Sequence, residues 1–116
     1  MGYQMTSIEE SEETEVADGL FASQVVAGEE MNIQHADFEP GAVLEEHSHH
    51  HEQITFIYEG EFDIIIDGDR HTMEAGDVCV IDGHTPHKVV NETDEVASAV
   101  DIFHPARQTP PWEQDD

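Results

Sequence analysis

Runs of β-forming residues in this chain are never long, and each ends where the backbone must turn. "MNIQHADF" stops just before Pro40-Gly41, "QITFIYE" stops at Gly60, and "FDIIID" meets "RHTM" across Asp67-Gly68-Asp69. "DVCVI" and "HKVV" are separated by "DGHTP". A last run, "EVASAVDIF", alternates Val96, Ser98, Val100 and Ile102 with Ala97, Ala99, Asp101 and Phe103. Glycine reaches backbone angles that other residues avoid, and proline cannot donate to a ladder, so these points close strands. Many short strands at regular spacing predict an all-β fold, an antiparallel barrel or sandwich. No long helix is expected, because Glu9 to Ala17 is acidic without an apolar stripe.

With 116 residues the chain has room for one core. Residues 1–19 are polar and acidic and read as an N-terminal segment, a tail or loosely held edge. The barrel is expected over 20–116, ending in the Pro-rich "HPARQTPPWEQDD", where Trp112 packs. No apolar run approaches the roughly 20 residues of a membrane span, and "MGYQMTSIEESEETE" lacks the basic and apolar stretches of a signal peptide. The lone Cys79 excludes an intramolecular disulfide and a cysteine-cluster zinc site.

Lys and Arg number 3 against 28 Asp and Glu, a net charge of −25 that repels itself in a compact chain unless screened. Six acids lie between Glu9 and Asp18 and the other 22 are spread from Glu29 to Asp116, so an acidic tail does not account for them. In molar salt the screening length falls to about 3 Å, and closely spaced carboxylates then keep a surface hydrated without strong repulsion. The composition reads as that of a halophile's protein in a high-salt cytoplasm. Nucleic acid and anionic membranes are poor partners, because binding either needs basic patches.

"HSHHHEQ", residues 47–53, places four of the nine histidines within five positions. On a strand, His47, His49, His51 and Gln53 share one face while Ser48, His50 and Glu52 take the other. Two imidazoles at such spacing converge on a point, a donor set that first-row metals favour. A third, His87, opens "HKVV" after a turn that brings it alongside the first strand. His35, His50, His71, His84 and His104, taken singly, read as polar cover.

"GAVLEEHSHHHEQITFIYEG", residues 41–60, resembles the first cupin motif: a glycine, His-x-His, an acidic or amide ligand, and a closing glycine. Gln53 falls where most cupins place glutamate. "GDVCVIDGHTPHKVVN", residues 76–91, resembles the second motif, with Gly76, His87 and Asn91 in register and Asp82 and His84 where proline and glycine are usual. The resemblance implies a cupin double-stranded β-helix (jelly-roll) barrel. It also implies one divalent first-row transition metal, nickel, zinc, manganese, cobalt or iron, on His47, His49, Gln53 and His87. Glu52, one residue off the motif, is a competing oxygen donor that a bulge would re-aim. His51 belongs at the rim or behind the ligands. A neutral glutamine leaves the site more positive, which favours a Lewis-acid role or anion capture over redox work.

Asp101 and Phe103 share a face with Ala97 and Ala99, small residues suited to a cavity floor, and Arg107 is one of few cations. The bland alternatives are a solvated edge carboxylate for Asp101 and an ordinary ion pair for Arg107. With Gln53, this tail resembles small single-domain cupins of the pectin-degradation type, which promote ring opening of unsaturated uronates to linear keto sugars. That resemblance implies that Asp101 shuttles a proton, Phe103 packs the sugar and Arg107 holds the carboxylate of a small anionic substrate. His104-Pro105-Ala106 stands where such proteins often carry a small residue and two prolines. Because cupins host many functions, a metal-dependent dioxygenase or lyase of a small oxygenated acid stays open, as does a non-enzymatic small-molecule-binding module. Small cupins commonly pair their strands, so a homodimer is expected.

Overall fold

The computed structural model describes residues 2–113, so positions 114–116 of the expected barrel end lie outside the described residues. The strands are β1 (Thr14–Ala17), β2 (Leu20–Ala27), β3 (Asn32–Phe38), β4 (Val43–His47), β5 (Glu52–Glu59), β6 (Glu61–Ile66), β7 (Asp69–Glu74), β8 (Val78–Ile81), β9 (His87–Val90) and β10 (Ala97–His104). Short 3-10 helices cover Ile8–Glu10 and Pro111–Glu113, and no α-helix occurs among the described residues. The strands form a six-stranded sheet, β1-β2-β3-β10-β5-β8, and a four-stranded sheet, β4-β9-β6-β7. This is the all-β jelly roll expected of a cupin. No helix among the described residues is long and apolar enough to cross a membrane.

Alternation decides which side chains turn inward. On β5, Gln53, Thr55 and Ile57 are buried while Ile54, Phe56 and Tyr58 face out. The inner faces of the two sheets meet in a core that includes Leu20, Phe38, Ile57, Phe62, Ile64 and Ile81. Phe38 and Phe62 pack edge to face at 5.3 Å between centroids, a favoured aromatic geometry. Gly60 turns β5 into β6 at φ +75, and a Cβ there would lie 2.3 Å from the Val96 carbonyl oxygen, so only glycine fits. Asn91, 1% exposed, ties off β9: its Nδ2 donates to the carbonyls of Phe38 and Glu95, each at 2.8 Å.

The sheet begins inside the acidic N-terminal segment. β1 pairs antiparallel with β2, and Ser11 Oγ donates to Ser23 Oγ at 2.9 Å. Backbone pairing, hydroxyl contacts and a single apolar side chain, Val16 packed against the core, hold this edge, and together they leave no apolar stripe in the sequence.

Candidate metal centre

β4 and β9 are neighbours in the four-stranded sheet, and their register sets His47 directly opposite His87. The two rings stand 4.3 Å apart between centroids. His49 arrives differently. β4 ends at His47 and residues 48–51 form a loop, so strand alternation does not align His47, His49 and His51 as expected from their spacing. Tertiary contacts shape that loop instead. The His84 N–H donates to the His49 carbonyl at 2.6 Å, and Gly83 lies so close that a Cβ would sit 2.5 Å from the His50 carbonyl oxygen. The "DGHTP" turn and the histidine loop are therefore pressed together, and His84 takes φ +67, a left-handed angle uncommon outside glycine.

One ring nitrogen from each of His47, His49 and His87 lies within 4.8 Å of the others. Each ring is oriented by its own backbone. Nδ1 of His47 meets the Glu45 carbonyl at 2.9 Å, that of His49 the His51 carbonyl at 3.1 Å, and that of His87 the Thr85 carbonyl at 2.8 Å. A carbonyl only accepts, so in the neutral rings Nδ1 carries the hydrogen and Nε2 keeps its lone pair. Nε2 of His87 is buried with no hydrogen-bond partner.

Gln53 completes the arrangement. Its Nε2 donates to Thr55 Oγ1 at 2.9 Å and to Asp101 Oδ1 at 3.2 Å, which turns Oε1 toward His49 Nε2 at 3.1 Å. Burial, then the nearby charge of Arg107 and of His87 and His47, pushes His49 down to about 4, so its ring is neutral at neutral pH. Two acceptors thus face each other with no hydrogen between them. A cation resolves that clash, and three imidazoles with an amide oxygen are a donor set that a divalent first-row metal fits. Glu52 is exposed and stands outside the cluster. His51 is also outside it, with its ring 6.2 Å from Phe103, and burial followed by the charges of Arg107 and His50 pushes it down to about 4.

A cavity of about 620 Å³ opens beside the histidines, lined also by Gln53, Asp101, Phe103, Arg107 and Trp112. Asp101 is no edge carboxylate, because β10 runs between β3 and β5. Its Oδ1 accepts from Thr55 Oγ1 at 2.7 Å as well as from Gln53. Burial raises the Asp101 carboxyl above its usual range, against the downward pull of those bonds and of Arg107. The Arg107 guanidinium lies 4.8 Å over the Phe103 ring. Its main chain is pinned from both sides, the N–H donating to Asn32 Oδ1 and the carbonyl accepting from Gln24 Nε2, each at 2.7 Å.

Arg70 and Lys88 pair with outer carboxylates, Asp63, Glu92 and Glu45. No such ion pair joins Arg107 to a carboxylate among the described residues. The structure thus gathers His47, His49, Gln53, His87, Asp101, Phe103 and Arg107 around one space. It adds Thr55, which the inward parity of β5 could have signalled, and Asn32, Gln24 and Gly83, which nothing local announces.

The family model described as Cupin domain matches residues 34–103. The Pectin degradation protein KdgF of Dickeya dadantii is 27% identical over 94 residues, which span 80% of this chain and 84% of that protein. An RmlC-like cupin from Shewanella frigidimarina superposes with a TM-score of 0.83 at 27% identity, over 92% of this chain and 95% of that one. KdgF from Halomonas sp. superposes with a TM-score of 0.84 at 25% identity, over 91% and 96% respectively.

Proposed function

The chain belongs to the cupin domain family, and from that premise we propose that it is a metal-dependent enzyme opening the ring of an unsaturated uronate to a linear keto acid. One observation carries this reading: a cationic Arg107, with no ion pair to a carboxylate among the described residues, shares a cavity with Asp101 beside a cluster suited to a metal. Similarity to proteins called KdgF, one of them named for pectin degradation, supports the same substrate class.

His47, His49, Gln53 and His87 would hold a divalent cation, which when bound would supply Lewis acidity. Arg107 takes the substrate carboxylate in a two-point contact, and Phe103, beneath the guanidinium, offers its ring edge to the sugar. Asp101 removes the proton of the anomeric hydroxyl as the bond from C1 to the ring oxygen breaks, leaving an aldehyde and an enolate, and it returns that same proton to C4, so that the enolate becomes a ketone. A carboxyl whose pKa is raised by burial suits a group that holds the proton between two transfers.

The test uses metal-loaded protein and monomeric 4,5-unsaturated galacturonate, whose anomeric hydroxyl is free. Absorbance of the ring double bond should fall and the open-chain product should appear by NMR, equally with and without oxygen. A requirement for oxygen would move the chain to the dioxygenase reading. Binding without turnover would leave a small-molecule-binding module.

We further propose that the protein partner is a second copy of this chain. Ile54, Phe56 and Tyr58 of β5 are 40%, 39% and 42% exposed, and Val78 and Val80 of β8 are 61% and 57% exposed. Register places Ile54 beside Val80 and Phe56 beside Val78 in one uncharged patch. At a net charge of −25, most faces of two copies repel each other. This one lets apolar surface meet with the least repulsion. Phe56→Glu is expected to halve the mass seen by light scattering, from about two chains to one. Wild-type protein running as a single chain would refute the dimer.

A further inference from the structure

Across the six-stranded sheet, register aligns Gln24, Gln34, Asp101 and Thr55 in one row. Most of their polar groups are spoken for. Gln24 binds the Arg107 carbonyl through Nε2 and accepts from Asn32 through Oε1, and Thr55 donates to Asp101 Oδ1. Gln34 is different. It is 7% exposed, lines the cavity, and has an Nε2 that is buried with no hydrogen-bond partner. Its neighbour Asp101 has one oxygen, Oδ2, that takes no hydrogen bond among the described residues, because both bonds fall on Oδ1.

A buried carboxamide without a partner is costly, and an apolar side chain of the same length would line this wall at less cost. The neighbouring row on this face is Ala22, Ala36 and Ala99, followed by Ile57, and the small side chains of Ala22 and Ala36 line the cavity together with Gln34. A half-turn of the last torsion lets the carboxamide present either its N–H or its carbonyl.

We propose that Gln34 and Oδ2 of Asp101 form a hydroxyl-recognition subsite. A hydroxyl seated between them accepts from the Gln34 N–H and donates to Asp101 Oδ2. The inference rests on the sugar-acid reading above and sharpens it: the cavity selects hydroxylated ring acids over small carboxylates of the same size. Gln34 acts as a specificity-determining residue.

The test measures calorimetric binding of two probes to metal-loaded protein: D-galacturonate, and tetrahydropyran-2-carboxylate, which keeps the ring oxygen and carboxylate but has no hydroxyl. Gln34→Met is expected to weaken galacturonate about tenfold and to change the second probe less than about twofold. The melting temperature of the ligand-free variant should hold or rise, by about 3 °C at most, because an unpaired amide has been removed. A structural amide would do the reverse, lowering the melting temperature with no selectivity between probes. Equal losses for both probes, with wild-type turnover of the unsaturated uronate intact, would remove the subsite and keep the reaction. Selective loss of galacturonate in a protein that opens no uronate would remove the reaction and keep the subsite. Wild-type protein that binds neither probe would overturn the subsite, and turnover of the unsaturated uronate would then decide the reaction by itself.

Discussion

Replacing His49 by alanine is expected to take bound first-row metal from about one equivalent per chain to below about a tenth of that. Elemental analysis of protein purified without a metal-affinity step reads the change. The loss should be large because one substitution acts on two donors. It removes the His49 Nε2 and also the group facing Gln53 Oε1 at 3.1 Å. Folding should be spared: the loop is tied through the His49 backbone carbonyl, which accepts from the His84 N–H and is still present in alanine. The melting temperature of metal-free protein should therefore hardly move, while the extra stability that added metal gives the wild type disappears. Equal metal in both proteins, or none in either, would make the histidines structural, and the proposed enzyme would fall with them.

Asp101→Asn should lower kcat by about a thousandfold, within the range of a positioned proton-transfer group. KM should change less, since Arg107 and Phe103 remain. Asparagine keeps an Oδ1 that accepts from Thr55 and Gln53, so the wall around the site survives. It also removes a charge that burial opposes, so the metal-free variant should melt at or above the wild-type temperature. A dead enzyme that is no less stable separates chemistry from folding. Normal turnover by this variant would take Asp101 out of the proposed reaction and require another proton carrier.

Most of the barrel was legible because turn residues mark strand ends locally. β3 and β5 to β10 lie where Gly, Pro and Asp-Gly punctuation placed them, and the alternation of β10 marked Ala97, Ala99, Asp101 and Phe103 as one face. β1 escaped notice because its acidic strand is held by backbone pairing rather than by an apolar stripe. The histidine spacing pointed to the right place by an incomplete route. A strand would have aligned His47, His49 and His51, whereas the loop delivers His49 to the cluster and leaves His51 outside it. That difference depends on the close approach of Gly83 to His50, and a contact between residues so far apart in sequence leaves no local pattern. Gln34 was hidden for a related reason: an unremarkable polar residue on a strand becomes informative only when its buried Nε2 is seen to have no partner.

The seclusion of Arg107 has a kinetic consequence. An anion arriving from solution meets the repulsion of a body carrying −25 before it comes near the one arginine turned into the cavity. Salt shortens the reach of that repulsion from about 10 Å at 0.1 M to about 3 Å at 1 M, while contacts inside the cavity are screened far less. Encounter between this protein and an anionic ligand should therefore quicken as salt is added, the reverse of what is seen where a basic funnel draws the ligand in.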